Sequence, residues 1–465
     1  MKATIVRLGG NPAPAYNWEI NATNGGKEEG FVNRAASGSG DPGSALKDVL
    51  NAAGTDGATA MLTVPIGDYV AADTQPGDVH STGASYLTTR FKKNVAAKGA
   101  AFATTPDLTD DSVYEDELVN WVKSTAGATP VIFGLDNQPE LWSEDHAEIH
   151  PQQITYGEVI DRDTKFSKAM KAAWPGAMVT GSVDYGWQGF MNLQNAPDSP
   201  SNGEFVGYYL DQMKAAESVN GGRLLDYLDI HWWPEAQGGG MRVIVPDAST
   251  DVAAARVQAP RSLWDTSYHE TSWINDALGG DTIHLIPRMQ DEISEHYSGT
   301  KLAFSAWYFG GGGDISGAVA TADVLGIFGS YGVDLAALET PEGGGDDSYT
   351  FAGMQAFLNY DGSGAHFGDT SVKATSSDAS AASIYASTDS KDPSHLVVVV
   401  INKQTNGRMA DITVSGSTKY SSCAVYMLTS SGAKLTSAPA LSPKNGNELD
   451  YQMPALSVSV LVPKS

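Results

Sequence analysis

The chain has 465 residues, 41% of them hydrophobic, more than one ordinary domain holds and enough for a barrel plus a smaller module, each with its own core. The 55 Asp and Glu against 29 Lys and Arg leave a net charge of -26, a field that repels phosphate backbones and anionic lipid and so argues against a nucleic-acid or membrane-surface partner, while a neutral polysaccharide is indifferent to it. Cys423 is the only cysteine, so no internal disulfide can form, and no apolar run approaches membrane-spanning length.

Taken in order, strand-like runs alternate with helical ones, the βαβα pattern of a parallel sheet. Strands are predicted at Ala3 to Arg7, Met61 to Ile66, Val131 to Leu135, Met178 to Val183, Tyr227 to Trp232, Lys301 to Trp307 and Val333 to Leu338. A (β/α)8 barrel has eight, so one is expected to be missing from this chain or replaced by something else that closes the barrel. Between the strands, Ser112-Val-Tyr-Glu115 reads as a capping box opening a helix with Tyr114, Leu118, Trp121 and Val122 on one face. Val159, Phe166, Met170 and Ala173 form a second stripe and Ile286, Met289, Ile293 and Tyr297 a third, all read as faces packed on the barrel. The last helix carries Phe351, Met354, Phe357 and Leu358. The barrel is assigned to residues 1–362. From there to residue 465 short β runs stand between Ser, Thr, Gly and Asn: Ser383 to Ser387, Leu396 to Ile401, Ile412 to Val414, Cys423 to Leu428 and the alternating Leu456 to Val460. This reads as a C-terminal β-sandwich fixed against the barrel, with Cys423 a buried filler.

The stretch around which the rest is organised is Val131 to Pro139, an apolar strand that ends in Asp136, Asn137 and Gln138. In parallel barrels the chemistry sits where strands end and loops begin. Many sugar-cleaving barrels have Asn-Glu-Pro at such an exit, the glutamate serving as general acid and base. Gln138 fills the same volume but has no titratable proton, so it cannot protonate a departing sugar oxygen. Lys301 to Gly313 has the same strand-then-rim form, with Ala306 where a second carboxylate is needed.

Around both stretches the sequence resembles family 44 of the glycoside hydrolases. The resemblance is carried by Arg7-Leu-Gly-Gly-Asn11, Tyr16-Asn-Trp-Glu19, Leu135-Asp-Asn-Gln-Pro139, Ile149-His-Pro151 and Asp229-Ile-His-Trp-Trp-Pro-Glu235. It continues through Leu263-Trp-Asp265, Ser272-Trp-Ile274, Ile315-Ser-Gly317, Leu325-Gly-Ile-Phe-Gly329 and Asn359-Tyr-Asp-Gly362, in family order across nearly the whole chain. The resemblance implies a (β/α)8 barrel with a sandwich and a retaining endo-β-1,4-glucanase acting on cellulose-like chains, mixed glucan or xyloglucan. It puts the acid/base glutamate at Gln138 and the nucleophile glutamate at Ala306, and gives Asn137 the sugar 2-hydroxyl. The chain is therefore expected to be an inactivated form of such an enzyme. The competing reading is a non-catalytic carbohydrate-binding protein on a dead barrel scaffold; a third is a structural module built around the sandwich.

Sugar rings present apolar faces rimmed by hydroxyls, so a cleft for them needs aromatic platforms and polar side chains. Trp18, Tyr69, Trp142, Tyr185, Trp187, Trp232, Trp233, Trp307 and Tyr308 stand at or just past strand ends and are expected there, with Glu19 and Glu235 as hydroxyl ligands and His231 as a partner orienting a cleft group. Asp136, beside Gln138 at the strand exit, is expected to face away from it and brace the barrel or a loop. Glu270 is a further cleft candidate. His146-Ala-Glu-Ile-His150 offers two histidines, but Pro151 follows and a structural role is expected. Asp107, Asp110 and Asp111 read as N-terminal caps. No cofactor is expected for the chemistry. The resemblance also implies structural calcium, without assigning its ligands, and secretion from a bacterium; no leader stands at Met1, so an export signal is expected to have been removed. A monomer is expected.

Overall fold

The computed structural model describes residues 2–340 and 345–465. Seven parallel strands form one sheet in chain order: β1 Ile5–Leu8, β2 Thr59–Val64, β3 Val131–Leu135, β4 Met178–Asp184, β5 Tyr227–Trp232, β6 Lys301–Trp307 and β7 Leu335–Leu338. Ile5, Met61, Ile132, Met178, Tyr227, Ala303 and Leu335, one from each strand, meet in a single apolar cluster. Such a cluster is the packed floor of a barrel. β7 adjoins β1, and the seam is crossed by an ion pair at 2.9 Å from Arg7 on β1 to Glu339 just past β7. The barrel is thus nearly closed with seven strands among the described residues, where eight are the expectation.

The outer helices are α1 Ser44–Asp56, α2 Glu115–Thr125, α3 Tyr156–Ala173, α4 Phe205–Asn220, α5 Leu285–His296, α6 Ile315–Tyr331 and α7 Ser348–Leu358. Val159, Phe166 and Met170 on α3 and Ile286, Met289 and Ile293 on α5, with Tyr297 just past it, are buried as expected from their spacing, while Ala173 is half-buried. The capping box at Ser112 is not formed. Ser112–Tyr114 pairs instead as a short strand with Lys93 to Val95, so α2 starts at Glu115 without a side-chain cap. On α7, Phe351 is turned to solvent and Ala352, Ala356 and Phe357 are buried in its place.

The C-terminal strands are β8 Thr370–Val372, β9 Ala382–Thr388, β10 Leu396–Asn402, β11 Arg408–Thr413, β12 Ser422–Thr429, β13 Gly432–Leu441, β14 Glu448–Met453 and β15 Ser457–Lys464. Six of them form one antiparallel sheet, β8-β9-β10-β15-β12-β13, and β11 pairs with β14. The large sheet is covered on both faces. Val397, Val399 and Ile401 pack with Ala318, Ala322 and Phe357 of the barrel helices, while Val398, Val400 and Leu461 pack with Ile412, Leu449 and Tyr451 of the small sheet. Double coverage explains why Leu396 to Ile401 is an unbroken apolar run. It also makes α6 apolar on every side, since α6 lies between barrel and sheet. Cys423 is fully buried in this core, and burial pushes its thiol up to about 11.

At that junction Gly326 lets the ring of Tyr385 lie on α6, where a Cβ would come within 2.2 Å of it. The Tyr385 hydroxyl donates to Asp323 at 2.6 Å, and Lys403 Nζ pairs with the same carboxylate at 2.6 Å, both charged side chains being buried.

Candidate active site

The exit of β3 turns sharply because Asp136 and Gln138 both adopt left-handed backbone angles, φ 63° and 51°. Asp136 is fully buried and ties the turn together. Its carboxylate accepts from the backbone N–H of Ile66 at 2.7 Å and of Asn137 at 2.8 Å, and from Trp142 Nε1–H at 3.1 Å. That is the expected bracing role, though strand alternation is not its cause: residues two apart in a strand share a face, and the left-handed turn at Asp136 and Gln138 is what separates the two side chains. The backbone N–H of Gln138 donates to the carbonyl of Val183 on β4 at 3.0 Å, and its side chain reaches His231 on β5.

There the amide meets His231: Gln138 Nε2 lies 2.7 Å from Nδ1 of the ring. Nε2 of the same ring lies 2.9 Å from Ser305 Oγ on β6. A bulge sets the register between these two strands. Asp229 is level with Ala303, yet His231 is level with Ala306, so β6 carries one extra residue and brings Ala306 beside His231. Bulges of this kind re-aim side chains next to sites. Gln138 thus touches His231, and Ala306 stands level with the same histidine on the neighbouring strand. From β1, Arg7 Nη2 donates to Asn137 Oδ1 at 3.0 Å and stands 3.5 Å from His231 Nε2, and Asn137 Nδ2 donates to Asn11 Oδ1 at 3.4 Å. Burial, and then the Arg7 charge, hold His231 well below its ordinary titration range, so the ring is neutral.

Beside this rim is a cavity of about 240 Å³ lined by Tyr185, Trp187, Gln188, Asn195, Trp233, Glu235 and Trp273. Tyr185 and Trp233 lie 5.5 Å apart at 33°, and the edge of Trp233 meets His231 at 5.4 Å. The groove therefore continues from the histidine along an aromatic wall.

A family model described as glycoside hydrolase family 44 matches residues 21–236. Endoglucanase A of Paenibacillus lautus is 39% identical over 480 residues, covering 99% of this chain and 68% of the relative. This chain belongs to glycoside hydrolase family 44. A family 44 xyloglucanase of Paenibacillus polymyxa, solved with xyloglucan, superposes with a TM-score of 0.94 at 36% identity, covering 99% of this chain and 93% of that one. The beta-mannanase/endoglucanase A of Caldicellulosiruptor saccharolyticus is 36% identical over 452 residues, 90% of this chain, which spans 33% of that relative's length.

In this family 44 barrel, Tyr185, Trp187, Trp233 and Glu235 come together on the groove wall, Glu235 held by Arg242 at 2.8 Å. Other expected platforms are not available to a sugar. Trp18 is fully buried against Trp121, Trp232 is stacked on Phe190 with only an edge at the cavity, and Trp307 meets Phe328 edge-on. Trp142 is held inside by Asp136. Trp232 and Trp307 are the last residues of β5 and β6, and their side chains fall on the face turned toward the helices that carry Phe190 and Phe328. Tyr308 is buried with its hydroxyl donating to Asp347 at 2.9 Å, and Tyr69 packs beside Phe91 and Val79. Glu19 is buried in an ion pair with Lys92 at 3.3 Å rather than facing the groove; burial is the main cause that brings it to about 7. Glu270 is buried on Ser262.

Three residues absent from the expected site belong to its surroundings: Arg7, Ser305 and Trp273. Arg7 and Trp273 both lie inside segments of family resemblance, and Ser305 directly precedes Ala306. His146 and His150 are engaged with Glu148 and Glu158, each at 3.0 Å. Among the described residues no group of three or more His, Cys, Asp or Glu is placed to hold a metal ion, so no ligand set is assigned to calcium. No helix among them is long and apolar enough to cross a membrane.

Proposed function

We propose that this chain is the scaffold of an endo-acting β-1,4-glucanase of the retaining type, with Gln138 at the acid/base position and Ala306 at the nucleophile position, and that it is inactive as it stands. Retaining glycosidases hold two carboxyl groups about 5 to 5.5 Å apart, one attacking the anomeric carbon and one protonating the departing oxygen. What supports the reading is that residues 138 and 306 converge on the same His231 at the barrel mouth. An amide cannot protonate a leaving group and a methyl cannot attack carbon, so both halves of the double displacement are lost. Removal of such groups lowers rates by several orders of magnitude while binding contacts survive.

The neutral aromatic groove and the charge of -26 favour uncharged glucans: cellulose-type, mixed-linkage or xyloglucan chains. Substrates of that size do not cross membranes, which supports action outside a bacterial cell. The test is to restore both carboxyl groups, Gln138→Glu with Ala306→Glu, and follow reducing ends released from soluble β-glucan. The reading predicts hydrolysis with the β-anomer as first product. A double variant that folds, binds and releases nothing would leave a carbohydrate-binding protein instead.

A further inference from the structure

His231 is neutral, so one ring nitrogen carries a proton and the other a lone pair. The Gln138 amide decides which. Its Nε2, which can only donate, faces Nδ1 at 2.7 Å, so Nδ1 carries the lone pair and the ring N–H lies on Nε2. Ser305 Oγ, 2.9 Å from Nε2, is the acceptor of that N–H. Ser305 is itself fixed through its backbone N–H, which donates at 3.0 Å to the fully buried Asp229 carboxylate, and Asp229 also accepts from Thr180 Oγ1 at 2.8 Å. Arg7, 3.5 Å from Nε2, acts through its charge, which keeps a second proton off the ring.

We infer that His231 is a positioning residue for the acid/base site: the Asp229–Ser305–His231 chain presents a bare Nδ1 to residue 138, so the cleft demands a proton on whatever group stands there. The catalytic half of this rests on the reading of 138 as the acid/base position. With a carboxylic acid at 138, an O–H to Nδ1 hydrogen bond stabilises the protonated form and keeps it available as an acid. Once that proton passes to the leaving glycosidic oxygen, the carboxylate faces a lone pair, which strengthens it as the base that takes a proton from the incoming water. The groups facing His231 from the packed elements are Arg7 on β1, Asp229 on β5 itself, Ser305 on β6, Gln138 after β3 and the Trp233 ring; Asp184 on β4 faces Asp229 in turn.

The experiment reads imidazole 15N shifts on histidine-labelled protein, with His231 assigned by its loss in His231→Gln. The native chain should show the proton on Nε2 and none on Nδ1. Ser305→Ala removes the acceptor and should move the proton to Nδ1, while Ser305→Thr keeps it in place. A native ring protonated on Nδ1, or no change in Ser305→Ala, overturns the proposal. In the enzyme restored by Gln138→Glu with Ala306→Glu, Ser305→Ala should move the alkaline limb of the kcat/KM profile down by about one pH unit, and Ser305→Thr should leave it; an unmoved limb overturns the catalytic half. Should the restored enzyme be inactive while the native 15N signature is as expected, the glucanase reading fails and the hydrogen-bond chain stands.

Discussion

Trp273 is 43% exposed and lines the groove together with Tyr185, Trp187 and Trp233. An indole with an exposed face is free to stack on a sugar ring. Trp273→Ala should weaken binding of long cello-oligosaccharides about tenfold, roughly 1.4 kcal/mol, leave the shortest ones unaffected and not change the melting temperature; titration calorimetry across a length series checks it. Equal affinity at every length would remove Trp273 from the cleft. A second residue-scale consequence lies under the β3 turn, where Glu140 and Asp184 are both buried against Gly189. Glu140 Oε2 and Asp184 Oδ1 have no hydrogen-bond partner among the described residues. Burial first, then Asp184 for Glu140 and Asp229 for Asp184, push both carboxyls up, Asp184 to about 7. The folded state therefore binds this proton more tightly than the unfolded chain, so the stability it contributes is complete below the ordinary Asp range and is lost as pH rises through about 7. Asp184→Asn should flatten the fall in melting temperature between about pH 5 and pH 8 relative to the native chain; parallel curves would contradict this. At this scale the bracing role of Asp136 was legible but its cause was not: residues two apart in a strand share a face, and the left-handed turn at Asp136 and Gln138 separates them. The orientation of Trp18, Trp232 and Trp307 was not, since an aromatic at a strand end satisfies core and cleft equally well.

The β-strands of the barrel were legible as elements because each is a short apolar run with a polar exit, and only their ends moved: Ala3 to Arg7 became Ile5–Leu8, and Val333 to Leu338 became Leu335–Leu338. The seam between β1 and β7 was not legible, because closure there depends on side chains far apart in sequence, Arg7 and Glu339. Local signals failed where tertiary pairing overrode them, as at Ser112. In β15, Ser457 and Ser459 alternate with valines yet are fully buried, since a neighbouring sheet covers them and Tyr451 donates to Ser459 Oγ at 2.8 Å. The element that joins barrel to sandwich gives the clearest energetic prediction. Removing one member of a buried ion pair strands the other, which costs about 3 to 5 kcal/mol. Lys403→Met should therefore lower unfolding free energy by roughly that amount in urea, with Asp323 left buried. A loss below about 1 kcal/mol would mean that the junction tolerates the bare carboxylate.

At the level of the whole molecule, the family was legible because its short segments recur in order along the entire chain, and the fold and the comparisons agree with it. The proposed catalytic centre was legible only as two positions on separate strands; that Gln138 touches His231 and Ala306 stands level with it required the bulge in β6, which no sequence pattern announces. The most direct test of the account is a crystal structure of the native chain soaked with a cello-oligosaccharide. It should show an uncleaved chain running past Trp233, with one glycosidic oxygen beside Gln138 and the adjoining anomeric carbon facing Ala306. An oligosaccharide seated elsewhere, or cut in the crystal, would contradict it.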